Sequence, residues 1–201
     1  MTTAAKRGRP GYDLESLLAV AVTLFNERGY DGTSMEDLAR KLGITKSAIY
    51  HHVPSKQELL RLAVNRALDG LFARVGELDS LPDKAIERLE YLVRGSVRVL
   101  AEQLPFVTLL LRIRGNTEVE RAALARRKQF DTIVADLVER AARDGDLRGD
   151  VEPATAARLL FGMVNSLVEW YRPRSNGELD GTALADTVAA VAFDGLRTRD
   201  R

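Results

Sequence analysis

The stretch Ser34-Met-Glu-Asp-Leu-Ala-Arg-Lys-Leu-Gly43-Ile-Thr-Lys-Ser-Ala-Ile-Tyr-His-His-Val53 decides how the chain is read. Ser34 is a good helix N-cap, and Asp37 three residues on can complete a loose capping box. Met35, Leu38, Ala39 and Leu42 recur at helical spacing and give a first short helix one apolar face. Gly43 breaks that pattern where a tight turn needs positive φ. Thr45 can cap a second helix in which Ala48, Ile49 and Val53 point inward. The small Ala39 lets the two helices cross closely. Thr45, Lys46, Ser47, Tyr50, His51 and His52 are left facing out or along the edges. Hydrogen-bonding and cationic side chains on so short a helix suit a DNA major groove. A helical hairpin with an ordinary polar face is the bland alternative.

Outward from this stretch, everything reads as helix. Asp13 caps a helix over 13–29, with Leu14, Leu17, Leu18, Ala21, Val22, Leu24 and Phe25 on its apolar face and Gly29 at its end. Three helices then fill residues 13–54, a compact head with the third helix exposed. Pro54 forbids continuing that helix, and Ser55 with Glu58 starts another, running to about 78. Further helices are expected over 83–103, 106–113, 117–144, 153–172 and 181–197, separated by Pro82, Pro105, Gly145, Pro173 and Asn176-Gly177. The expectation is an all-α chain of about nine helices. It comprises a flexible basic arm (1–12), a helix-turn-helix head (13–54) and a helical body (55–201), to which the resemblance described below gives ligand binding and dimerisation. In the arm, Arg7 and Arg9 can enter an A·T-rich minor groove, or the segment is a solubilising tail.

Composition narrows the functions available. The 201 residues carry a net charge of +1, so any affinity for nucleic acid is local rather than global. Cys is absent, which excludes disulfides, a thiol nucleophile and a Cys-ligated metal, and is compatible with a reducing cytoplasm. No secretory signal or membrane-spanning run is visible. Both histidines lie at 51 and 52, on diverging helix positions without carboxylates, which argues against a metal or catalytic pair. The body therefore has no His or Cys, and no HExxH, Walker or GxSxG motif, so enzymatic chemistry is not expected. The competing reading is an all-helical small-molecule carrier or enzyme whose body is the working part.

The segments Phe25-Asn-Glu-Arg-Gly-Tyr-Asp-Gly-Thr-Ser34, Asp37-Leu-Ala, Gly43-Ile-Thr-Lys-Ser-Ala-Ile-Tyr-His-His-Val53 and Ser55-Lys-Gln-Glu-Leu-Leu60 resemble the TetR/AcrR family of bacterial transcriptional regulators, at the family's spacing. Glu169-Trp-Tyr-Arg-Pro173 is similar to a segment in the penultimate helix of some members, several of which respond to acyl-CoA thioesters. The resemblance implies a cytoplasmic homodimeric repressor without cofactor, metal or membrane. The last two helices of each body would form a four-helix interface. A small effector, acyl-CoA or another hydrophobic anion, would move the helix at 55–78 and release a pseudo-palindromic operator.

The same resemblance places Thr45, Lys46, Ser47 and Tyr50 on the groove-facing side, with His51 at a phosphate or base edge. Ser34 joins them as a DNA contact. Thr33 and Lys56 would hold phosphates at helix starts. For the effector, the candidates are polar or aromatic residues set in apolar stretches of the body: Phe106, Arg112, Phe130, Phe161, Asn165, Glu169, Trp170 and Arg172. Core packing competes for the aromatics, the dimer interface for Asn165 and Glu169, and a surface charge for Arg172. Arg126-Arg127-Lys128 reads as a solvated face, with a CoA phosphate site as the sharper alternative. Along the last two long helices, Leu159, Leu160, Met163, Val164, Leu167, Leu184, Val188, Val191, Ala192 and Leu196 leave an apolar stripe wide enough to need a second subunit.

Overall fold

The computed structural model describes residues 13–172 and 180–196, the side chain of Leu196 excepted. Arg7, Arg9, Pro173, Asn176 and Gly177 lie outside the described residues. Among those described, nine α-helices and one 3₁₀ turn account for the regular structure, with no β-strand. The chain divides into two compact units, the first ending at Ala63 and the second beginning at Val64. The division therefore falls inside a helix, whereas the sequence reading set it at the helix start.

The first unit holds α1 (Leu14–Arg28), α2 (Met35–Leu42), α3 (Lys46–Tyr50) and the first turns of α4 (Lys56–Gly76). Each start is capped by a side chain. Asp13 Oδ1 accepts from Ser16 N at 2.8 Å, Thr45 Oγ1 from Ala48 N at 3.2 Å, and Ser55 Oγ from Glu58 N at 3.1 Å. Leu17, Ala21, Val22, Leu38 and Ile49 are fully buried between the helices. Leu14, expected on the inward face of α1, is 40% exposed because it opens the helix ahead of the packed turns.

The second unit is the remainder of α4, a 3₁₀ turn Leu78–Ser80, and α5 (Ala85–Glu102), α6 (Leu104–Arg112), α7 (Glu118–Arg143), α8 (Pro153–Trp170) and α9 (Gly181–Leu196). Helix α5 packs against α6, α7, α8 and α9. Ile86, Leu89, Leu92, Val93, Val97 and Leu100 are buried along it. Gly181 lets α9 start hard against α5, since a Cβ there would lie 2.9 Å from the Ala101 Cβ. Helix α7 opens with a second capping box, Thr117 with Glu120.

Several expected boundaries shift for local reasons. Helix α4 stops at Gly76, and the chain tightens into the 3₁₀ turn instead of continuing to 78. Pro105 lies inside the first turn of α6, where its missing N–H costs nothing, instead of preceding the helix. Helix α8 is capped by Glu152, whose carboxylate accepts from Ala154 N and Thr155 N at 2.9 and 2.7 Å. Leu89 has no exposed surface. Leu89→Ala is expected to cost about 2–5 kcal/mol in urea unfolding followed by circular dichroism; a loss below about 0.5 kcal/mol would contradict the central place of α5.

Candidate nucleic-acid interface and body cavity

The geometry of the head follows from its caps. Ser34 N donates to Asp37 Oδ2 at 3.0 Å and Asp37 N to Ser34 Oγ at 3.1 Å, the reciprocal pair of a capping box. Hydrogen bonds from the Ser34 side chain and backbone hold the Asp37 carboxyl below its usual range, helped by Arg40 and Arg28. Gly43 ends α2 in the left-handed region, φ 67° and ψ 32°. Ile44 N then reaches back to Ala39 O at 3.1 Å, which closes a Schellman turn and aims the chain into α3.

Helix α3 is pinned by one fully buried side chain, Ile49. Thr45, Lys46, Ser47 and Tyr50 are all exposed, as expected. The α-helix ends at Tyr50. His51 is its C-cap and His52 lies in the turn, where His52 N bonds Ile49 O at 2.9 Å. Both imidazoles are exposed. The ammonium of Lys46 pairs with the carboxylate of Glu36 on α2, a contact that raises the Lys46 pKa and lowers that of Glu36. Both side chains are solvent-accessible, so the pair is a weak restraint that a phosphate or base can replace.

Two expected phosphate contacts have other work inside the head. Thr33 is 1% exposed, and its hydroxyl donates to Gly29 O at 2.8 Å. The Lys56 ammonium donates to Tyr30 O at 2.8 Å and Thr33 O at 2.9 Å, and sits 4.1 Å above the Tyr30 ring. It latches the start of α4 to the turn between α1 and α2. Ser34 remains exposed, with its hydroxyl engaged in the capping box.

The body contains a small, partly open cavity of about 40 Å³. Its lining comes from α4, α5, α6, α7 and α8, and is mainly apolar. Phe130, Phe161 and Asn165 of the expected effector residues line it. Phe130 packs edge-on between Phe72 and Phe161, at ring separations of 6.2 and 5.2 Å.

The other five candidates lie outside that lining. Phe106 is buried under the Arg66 guanidinium, 4.4 Å from its ring. Arg112 is exposed at the end of α6. Glu169, Trp170 and Arg172 are exposed at or just past the end of α8, where Arg172 Nη1 caps Tyr171 O at 2.7 Å.

Sequence reasoning missed Ser96 and Asp131 in the lining, which also takes in Arg127. Of the two readings of Arg127, a solvated face or a CoA phosphate site, the half-buried guanidinium fits the first poorly, since it donates to Leu110 O at 3.4 Å. Desolvation lifts the Asp131 carboxyl above its usual range, against Arg127 and Arg158. Neighbouring Arg126 instead ties α7 to α4, donating to Asn65 and Asp69 at 2.8 Å and covering the Phe72 ring. Among the described residues, no cluster of His, Asp and Glu could hold a metal ion, and no helix is long and apolar enough to cross a membrane.

Residues 17–63 match the family described as bacterial regulatory proteins, tetR family, and residues 82–196 match the tetracyclin repressor-like C-terminal domain. The chain is 29% identical over 206 residues to the HTH-type transcriptional repressor KstR2 of Rhodococcus jostii (strain RHA1), covering 96% of this chain and 94% of that one. Among solved structures it is similar to SCO3833, a TetR-family regulator of Streptomyces coelicolor A3, at 54% identity and a TM-score of 0.83, over 98% of this chain and 96% of that one. It is also similar to AibR, solved with isovaleryl coenzyme A and operator DNA, at 26% identity and a TM-score of 0.74, over 89% and 97% of the two chains.

The latch and the capping box each carry a test. Lys56→Met keeps the alkyl stem over Tyr30 and removes the charged donor; it is expected to destabilise the protein by about 1–3 kcal/mol in denaturant titration. No change would remove the latch. The folded-state pKa of Asp37 lies below its unfolded value, so its stabilising effect is present above about pH 4 and fades as pH falls through the depressed folded value. Asp37→Asn should flatten the acid limb of the stability curve. An unaltered acid limb would show that this carboxylate does not contribute.

Proposed function

Because the chain belongs to the TetR family of bacterial regulatory proteins, we propose that it is a cytoplasmic repressor that binds a pseudo-palindromic operator as a homodimer and leaves it when a small hydrophobic or acyl-CoA-like effector fills the body. The observation that carries this reading is the exposed polar face of α3: Thr45, Lys46, Ser47 and Tyr50 stand in solvent on a helix anchored from below by Ile49. Lys46 supplies a donor for guanine or phosphate, and Tyr50 a hydroxyl and a ring edge for phosphate or a thymine methyl. Arg7 and Arg9 add minor-groove contacts, and Ser34 and His51 add backbone contacts.

Dimerisation is supported by the surface of the last two helices. Leu159 is 67% exposed, Trp170 57% and Val191 65% in the single chain. Leu159, Met163, Ser166 and Trp170 fall at alternating spacings of four and three along α8, a seam suited to a second copy of the same helix pair. A single head makes too few contacts for tight specific binding, and a two-fold pair reads two half-sites. The likeness to AibR, whose solved complex holds isovaleryl coenzyme A and operator DNA, supports an effector of that kind.

Selection from a random duplex pool should recover a two-fold symmetric motif. On that motif Lys46→Ala is expected to weaken binding on the order of tenfold or more, and Glu36→Gln, which frees Lys46, to tighten binding to unrelated DNA at low salt. An asymmetric motif or no enrichment would overturn the reading. Leu159→Glu with Val191→Asp should convert a dimeric mass in light scattering to a monomeric one while far-ultraviolet circular dichroism stays unchanged. A monomeric wild-type protein at micromolar concentration would remove the dimer.

A further inference from the structure

The proposed effector site has an internal order that its lining residues reveal. Its buried lining is mostly apolar: Leu100 is 1% exposed, Leu110 2% and Val164 2%. Its rim is polar, with Arg127 half-buried and Asp131 exposed. Ser96, 4% exposed, belongs to the same lining. Its hydroxyl is shielded from solvent and has no hydrogen-bond partner.

A serine inside a helix ordinarily returns its hydroxyl to the carbonyl a turn earlier. Other hydroxyls of this protein do so: Thr108 Oγ1 bonds Leu104 O at 2.7 Å, and Thr132 Oγ1 bonds Lys128 O at 3.0 Å. Ser96 does not. A buried polar group left unmatched costs stability, and replacing it by Ala would remove that cost without changing the packing volume appreciably. Its position in the wall of a cavity gives the hydroxyl a use, because a small rotation about its Cα–Cβ bond presents it to whatever fills the space.

Resting on the reading of this cavity as the effector site, we propose that Ser96 is the specificity-determining hydrogen-bonding group, and that the effector is a mainly apolar molecule with an uncharged carbonyl or hydroxyl oxygen inside its hydrocarbon body and its charged group at the Arg127 rim. None of the buried lining residues carries a charge that could balance a buried ion, so the inner oxygen is uncharged. The Arg127 guanidinium donates to Leu110 O at 3.4 Å and faces the Asp131 carboxyl, and an anionic end is accepted there in competition with Asp131. A purely hydrocarbon chain would leave the Ser96 hydroxyl as unmatched as it is now. A molecule with an oxygen at the right depth would satisfy it. The cavity then distinguishes oxygenated from saturated chains of equal length.

The test uses decanoate and its oxo derivatives, with the ketone at successive positions from C5 to C9, titrated calorimetrically into the full-length protein and into the Ser96→Ala variant. The expected result is that at least one oxo derivative binds wild type about fivefold or more tighter than decanoate, and that the preference disappears in Ser96→Ala while the decanoate affinity is retained. The variant should also unfold at a higher temperature than wild type, which separates a lost contact from a damaged fold. Equal binding of decanoate and every oxo derivative to wild type would overturn the role of Ser96 and leave the cavity as a plain apolar site. Binding of no probe to either protein would overturn this proposal together with the effector reading of the cavity.

Discussion

The body depends on burying one helix on most of its circumference. Helix α5 meets α6, α7, α8 and α9, and its buried residues include positions on successive turns from Ala85 to Leu100. The helix is amphipathic, with Glu87, Arg88, Glu90, Arg94, Arg98 and Glu102 kept off its buried face, and the layers about it are placed by that face more than by their own propensities. Leu, Val and Ile fill most of those positions, and burying each contributes about 1.5–3 kcal/mol. Small residues occupy the remainder: Gly95 admits the Arg74 stem, whose Cγ would lie 3.0 Å from an added Cβ. Ser96 keeps the adjoining wall small, and the cavity lies beside it.

The head rests on different physics. Its helices are short, and α3 has only five residues, so none would persist alone in water. What holds them is a succession of local devices: side-chain caps at Asp13, Ser34, Thr45 and Ser55, the left-handed Gly43, and a core of fully buried Leu, Val and Ile. The Lys56 ammonium adds a longer-range tie between the start of α4 and the turn after α1. Because its packing lies beneath α3, the outward residues of that helix carry little structural duty beyond the Thr45 cap and the weak hold of Glu36 on Lys46.

This difference explains what the sequence disclosed. Caps, the glycine turn and the inward Ile49 are set by residues a few positions apart, so the helix-turn-helix and its exposed face were legible. Thr33 and Lys56 are engaged inside the head by the carbonyls of Gly29, Tyr30 and Thr33, backbone acceptors that a sequence does not single out. The cavity was legible only in part. Phe130, Phe161 and Asn165 stood out as aromatic or polar interruptions of apolar helices, but Ser96 and Asp131 look ordinary in sequence, and only the meeting of five helices brings them to one space. Glu169, Trp170 and Arg172 drew attention as a motif, and the end of α8 carries them away from that space.

The central claim is that two heads work as one reader, held by the exposed apolar seam of α8 and α9. Because the chain has no Cys, a single label site can be introduced cleanly. Glu27 is exposed on α1, so Glu27→Cys with a nitroxide places one reporter on each head. The decisive measurement is the distance distribution between these labels by pulsed dipolar spectroscopy, with and without a two-fold symmetric duplex recovered by selection. The account predicts an intersubunit distance in both samples, narrowed to a single population by the duplex. Absence of dipolar coupling in both, at a concentration where the protein is folded, would contradict it.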